Sequence, residues 1–243
     1  PVRIEDAPGG DANPLWGRLG RYFGVRTRVL DDLVLDAVRA GARQVVLLGA
    51  GLDTRAFRLD LPRGTVVYEL DRPDVLAFKR TVLDALGAKP IATSRWIAMD
   101  LRENFSAALL AAGFSPTAPT VWLAEGLLLY LPAITECSLM AGVDRLTRAA
   151  GTFAFEVKLG VESAAVRDSP IYRTAKQEIG VDLIGLFDHE PRPDSARDLT
   201  EHGWAVTVHT PFEFTRSFGT GLRPMEPDAL TANRWTFATK TLS

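Results

Sequence analysis

Val45-Val46-Leu47-Leu48-Gly49-Ala50-Gly51-Leu52-Asp53-Thr54-Arg55 decides the fold of this 243-residue chain. An apolar run stops at Gly49, a second glycine follows at Gly51, and Asp53 and Thr54 are residues that open helices. That is a buried strand, a tight turn and a helix start. In an α/β sheet such a turn lies at the carboxyl end of a strand, where nucleotide-like ligands bind. Glycine lets the backbone turn sharply and approach a ligand with no Cβ in the way.

The spacing around this stretch predicts the rest of the sheet. Residues 1–24 read as a mostly irregular lead-in, and Thr27 as the cap of a helix ended by Gly41. Strands are predicted at 44–48, 65–70, 96–99, 120–124 and 152–158. Helices fall between them, one opened by Pro73, one over 104–112 stopped by Gly113, and one over 132–148. Five alternations of strand and helix imply a doubly wound, mostly parallel sheet. Residues 205–210 and 235–239 read as two late strands that close the sheet antiparallel. The expected organisation is one domain: a cap segment over 1–43, a cofactor-binding core over 44–158, a lid-like insertion over 159–194, and closing strands over 195–243.

Composition narrows the function classes. With 47% hydrophobic residues the chain can bury a sizeable core, and a net charge of -2 gives no general attraction to nucleic acid or anionic membrane. No apolar run approaches the roughly 20 residues that span a bilayer. The single cysteine, Cys137, excludes an intrachain disulfide, reads as a core residue of its helix, and makes a reducing cytoplasm the default setting. His189, His202 and His209 lack metal-ligand spacing, so no metal site is expected. Trp204 and Trp235 sit in strand-like runs and read as core. The chain opens at Pro1 rather than methionine, so a missing initial segment would hide any leader.

The turn departs from a dinucleotide fingerprint. Thr54 stands where a third glycine would let helix and strand close on a pyrophosphate, and Asp53 adds negative charge where that pyrophosphate would sit. Both features suit a cofactor with adenosine but no phosphate. Asp71 stands 20 residues after Gly51 and is placed to bind ribose; Glu69, on the same face of the strand, is its rival, and capping of the next helix is the plainer reading. Asp100 and Leu101 end the third strand, where a carboxylate beside an apolar side chain suits adenine or, alternatively, caps a helix. Glu125 ends the fourth strand, near the expected reaction centre, and Tyr130 follows in an apolar run that is either helix or pocket wall. Arg26-Thr27-Arg28 offers a guanidinium for a carboxylate, or simply a solvated basic face.

Taken in order, Arg26-Thr27-Arg28, Leu48 to Arg55, Tyr68 to Pro73, Asp100-Leu101-Arg102 and Glu125 to Leu131 resemble the leucine carboxyl methyltransferase-like family. The likeness is to its bacterial branch of S-adenosyl-L-methionine-dependent O-methyltransferases, and it runs from Arg26 to Lys158. It implies a class I methyltransferase fold, with a seven-stranded sheet whose last strand is antiparallel. It also implies that Arg28 holds the methionine carboxylate, Gly49 and Gly51 pass under the cofactor, Asp71 binds ribose, Asp100 and Leu101 bind adenine, and Glu125 lies near the methionine amino group. The product would be S-adenosyl-L-homocysteine. The segment over 160–193 is shorter than the family's usual covering segment, so the acceptor, expected to be a small molecule, does not carry over.

Methyl transfer requires an acceptor oxygen about 3 Å from the methyl carbon, in line with the breaking bond. A hydroxyl needs a general base and a carboxylate does not. No histidine stands in a suitable motif, which favours a carboxylate or an already acidic hydroxyl; Arg55, Glu125 and Tyr130 are the substrate-side candidates. Two other readings remain: a nicotinamide-dependent oxidoreductase, and a catalytically silent cofactor-binding protein.

Overall fold

The strand at 44–48 forms as expected: β1 (Gln44–Leu48) is buried along its whole length, as is β4 (Thr120–Ala124) beside it. Strands covered on both faces read as continuous apolar runs, which is why both are found to the residue. The computed structural model describes residues 8–161, 163–215 and 222–241. In these, α1 (Gly20–Arg39) precedes β1. The chain continues through α2 (Arg55–Arg58), β2 (Val66–Asp71), α3 (Pro73–Ala85), β3 (Thr93–Ala98), α4 (Phe105–Ala111), β4, α5 (Ala133–Leu146) and β5 (Gly151–Lys158). Then come α6 (Ala164–Arg167), α7 (Pro170–Glu178), α8 (Ser195–Glu201), β6 (Ala205–His209) and β7 (Asn233–Lys240).

The seven strands lie in the order β3-β2-β1-β4-β5-β7-β6. Neighbours from β3 to β5 pair in parallel, and β7 runs antiparallel to both β5 and β6. This is the class I methyltransferase topology that the family resemblance implies. Alternate residues of the central strands feed two cores. Val46, Leu48, Trp122 and Phe153 pack on the face covered by α4, α5 and α8, whereas Val45, Leu47, Val121 and Leu123 pack on the face covered by α1 and α2. Trp204 and Trp235 are buried, as read from the sequence.

Two expectations fail. The part of the lead-in that is described is not irregular. Asn13 accepts hydrogen bonds from the amides of Leu15 and Trp16, Pro14 occupies the first helical position, and a π-helix over Pro14–Leu19 runs directly into α1. Thr27 therefore lies inside α1 instead of capping it; residues 1–7 lie outside the described part. The glycines at 17, 20 and 24 obscured an Asn-Pro helix start. Cys137 is the second failure: it is exposed. In α5 the buried stripe runs through Leu139, Met140, Val143 and Leu146, and Cys137 is off that stripe.

A third cluster closes the carboxyl end of the sheet. Tyr22, Val25 and Val29 of α1 pack against Ile171 and Tyr172 of α7, and against Phe187 and Leu230. The segment read as a lid-like insertion contains α6 and α7, and it covers the end of the sheet where the Gly49–Gly51 turn lies.

Candidate active site

The sheet order reverses between β1 and β4, and the loops leaving these two strands open the crevice in which α/β proteins bind ligands. Leu47 pairs with Leu123, so Gly49 and Glu125 emerge side by side. Gly49 and Gly51 hold φ angles of 68° and 49°, a region that side chains other than glycine's rarely adopt. A Cβ at Gly49 would lie 2.7 Å from Leu127 Cδ1, so this position excludes even alanine without local movement. The turn is pinned to β2. The Gly49 and Ala50 amides donate to the Leu70 carbonyl, and the Gly51 amide donates to Asp71 Oδ2 at 2.6 Å. Above the turn lies a cavity of about 420 Å³, walled by Arg26, Asp53, Arg55, Glu125 and Gly126.

A chain of ion pairs fixes that wall. Arg55 is 2% exposed; its Nε donates to Asp31 at 2.8 Å and its Nη1 to Glu125 at 2.8 Å and to Asp53. Burial opposes its charge, but Asp53, Glu125 and Asp31 outweigh burial and hold the guanidinium above its ordinary pKa. Arg26 Nε donates to Glu125 Oε1 at 2.9 Å, and its Nη1 pairs with Glu156. Burial works against the Glu125 carboxylate, yet Arg26 and Arg55 overcome it and keep this group below the ordinary glutamate range.

The structure places the remaining sequence candidates as follows. Asp71 flanks the cavity floor through Gly51. Its rival Glu69 is buried away from the floor, paired with Lys79 of α3 and hydrogen-bonded by Ser94. Asp100 stands outside the cavity lining and pairs with Arg102, whose hydrogen bonds draw its carboxyl down to about 2. Asp100 does not cap α4, because Asn104 does. Leu101 is buried in the core on the α4 and α5 side. Arg28 does not reach the cavity: it faces outward beside Asp32, and Arg26 takes the inward position. Two residues apart on a helix means opposite sides, so only one of the two arginines can point inward. Arg55 lines the cavity with its Nε and Nη1 held by three carboxylates, which makes it a frame for the site. Tyr130 ends a turn of 3-10 helix over Leu128–Tyr130, is 46% exposed and packs its ring 5.7 Å from Phe187.

A second cavity of about 510 Å³ adjoins the first, and Arg26, Glu125 and Gly126 line both. Its wall is largely apolar and carries six aromatic rings, those of Trp16, Tyr22, Phe23, Tyr130, Tyr172 and Phe187. Glu178 ties its roof together, accepting hydrogen bonds from Asn13 Nδ2 at 2.9 Å and from Trp16 Nε1 at 2.8 Å. The polar end was missed in the sequence. Glu156 and Lys158 alternate along β5 and face Asn233 and Trp235 of β7 across the sheet. Asn233 Nδ2 donates to Glu156 at 2.7 Å, and Lys158 Nζ donates to Asn233 Oδ1 at 2.5 Å and to the Ala229 carbonyl at 2.5 Å. Tyr22 also donates to Glu156. Two charged residues on one face of a mostly apolar strand were the available signal.

Among the described residues no helix is long and apolar enough to cross a membrane, and no cluster of three or more potential metal ligands occurs. Residues 3–144 match the family model described as leucine carboxyl methyltransferase. A Streptomyces coelicolor protein, assigned by name to the S-adenosyl-L-methionine-dependent methyltransferases, is 57% identical over 239 residues, covering 98% of this chain and 79% of its own. A solved DUF574 family protein from Streptomyces avermitilis superposes with a TM-score of 0.61 at 15% identity, over 95% of this chain and 86% of its own. The magnesium protoporphyrin IX methyltransferase of Synechocystis, solved with S-adenosylhomocysteine, has a TM-score of 0.50 at 13% identity, over 92% of this chain and 84% of its own.

Proposed function

The chain belongs to the leucine carboxyl methyltransferase family and is an S-adenosyl-L-methionine-dependent methyltransferase; from that premise we propose that it methylates an oxygen atom of a small molecule held in the aromatic cavity. The observation that carries this reading is the wall common to the two cavities. A donor in one and an acceptor in the other would meet at Arg26, Glu125 and Gly126.

The residues present fit the cofactor. When bound, S-adenosyl-L-methionine supplies an electrophilic methyl group on a sulfonium. Arg26 and Glu125 offer opposite charges to its carboxylate and ammonium, and the glycine floor, with no room for a Cβ at Gly49, admits a close backbone approach. Asp71, joined to the floor through Gly51, would take the ribose hydroxyls; an adenine role for Asp100 and Leu101 rests on the family resemblance, since neither lines the cavity. Thr54, standing where a dinucleotide fingerprint carries its third glycine, disfavours a pyrophosphate and so the nicotinamide reading. Arg55 keeps Glu125 ionised and oriented. The rings around the second cavity exclude water from the acceptor and hold it in line. Its single cysteine makes the cytoplasm the setting we favour.

Substitution tests the cofactor contacts one by one. Asp71→Ala and Asp100→Ala are each expected to weaken S-adenosylhomocysteine binding by about 10-fold, equivalent to roughly 1.4 kcal/mol, in calorimetric titration. An unchanged affinity in either variant removes that residue from the site. Incubation of the enzyme and methyl-labelled S-adenosyl-L-methionine with a metabolite extract, read by mass spectrometry, should show a small molecule carrying the labelled methyl. Label found only on protein would contradict the reading.

A further inference from the structure

The aromatic cavity is nearly neutral despite its charged end. Two cations, Arg26 and Lys158, face two carboxylates, Glu125 and Glu156. Arg26 pairs with both carboxylates through Nε and Nη1 and, in the cofactor reading above, gives its remaining donors to the methionine carboxylate, while Lys158 is held by the Ala229 carbonyl and Asn233. A carboxylate acceptor would bring a third negative charge to this end with no unengaged side-chain cation to anchor it among the described lining residues, leaving only the cofactor's sulfonium, whose charge is lost in the transfer, to offset it. Burying such a charge is costly. A neutral hydroxyl carries no such penalty, but it needs a base. We propose, building on the O-methylation reading above, that the acceptor is a planar, largely apolar compound bearing a phenol- or enol-type hydroxyl, and that Glu156 is the catalytic residue that takes the hydroxyl proton.

Three observations support this assignment. The six rings of the wall provide faces and edges for a flat apolar body. Glu156 lines this cavity and not the neighbouring one, so it lies on the acceptor side of the shared wall. Tyr22, Arg26 and Asn233 donate to its carboxylate and fix it at the polar end of the cavity. The two glutamates are also pushed apart. Glu125 is held below the ordinary range and is a weak base, whereas burial raises Glu156 against the pull of Lys158 and its hydrogen-bond donors. A carboxyl group raised in this way has greater proton affinity, as a general base working near neutrality requires. In the step itself the acceptor O–H bond breaks and its proton passes to Glu156. The oxygen forms a bond to the methyl carbon, and the carbon–sulfur electron pair stays on sulfur, neutralising the sulfonium.

Three aryl acceptors test the proposal: 2-naphthol, 2-naphthoate and a more acidic nitrophenol. In calorimetry with S-adenosylhomocysteine present, 2-naphthol should bind the wild type at least about 10-fold more tightly than 2-naphthoate. In transfer assays with radiolabelled S-adenosyl-L-methionine, Glu156→Gln should slow methylation of 2-naphthol by about 100-fold. The nitrophenol, which ionises without help, should be slowed far less. Tighter binding of 2-naphthoate overturns the acceptor class, as does absence of 2-naphthol binding while S-adenosylhomocysteine binds. An equal loss on both phenols overturns the base, because a merely structural glutamate would not distinguish acceptors by acidity. If the wild type fails to bind S-adenosylhomocysteine, the fault lies in the underlying methyltransferase reading instead.

Discussion

Arg55→Met should lower the melting temperature by about 6–12 °C. The guanidinium is almost wholly buried and serves Asp31, Asp53 and Glu125 at once. Removing one partner of a buried ion pair typically costs about 3–5 kcal/mol, because the other charge stays behind uncompensated. The lower end applies here, since Asp31 keeps Arg58 and Glu125 keeps Arg26. At this chain length each kcal/mol shifts the midpoint by roughly 2–4 °C. Asp53→Asn in the same chain should restore part of the loss, as it removes the carboxylate left without a cation. The pH dependence has a definite sign. Because the folded-state pKa of Glu125 is depressed, its stabilising contribution is complete above the ordinary glutamate value and is lost as pH falls below it. The Arg55→Met variant should therefore lose stability less steeply than wild type on acidification. Thermal melts across the acid range read both effects, and an unchanged midpoint would show that the network does not hold the wall.

The second large effect separates two arginines that the sequence offered together. Arg26→Met should weaken S-adenosylhomocysteine binding by about 10- to 100-fold, the range expected from losing hydrogen bonds to a charged group worth about 1.5–3 kcal/mol. Arg28→Met should leave the affinity within about twofold, because Arg28 lies on the outer face of α1 beside Asp32. Titration of the two variants side by side decides between them. A reversed pattern would return the carboxylate-anchoring role to Arg28.

That pair also marks how far the sequence could be read. Position along the chain singled out Arg26 to Arg28, but the phase of the helix chooses the residue that faces inward. The phase was hidden because the helix begins earlier, in the π-helix after Asn13, and not at Thr27. β1 and β4 were legible to the residue because burial on both faces leaves an uninterrupted apolar run. The edge strand β3 alternates exposed and half-buried residues, and it begins three residues before the predicted start. Asp71 and Glu69 could not be separated by alternation, since both lie on the same side of β2. Only the Gly51 amide on one and Lys79 on the other distinguish them. Glu156 and Lys158 stood out only as two charges in an apolar strand; their partners, Tyr22, Ala229 and Asn233, which make them a site, come from distant parts of the chain.

The central claim is that the cavity above Gly49 and Gly51 binds an adenosyl sulfonium cofactor without a pyrophosphate. Calorimetric titration of the wild-type protein with S-adenosylhomocysteine, and separately with NAD, tests it most directly. The account predicts saturable binding of one S-adenosylhomocysteine per chain and no binding heat from NAD. Binding of NAD with none of S-adenosylhomocysteine would contradict it.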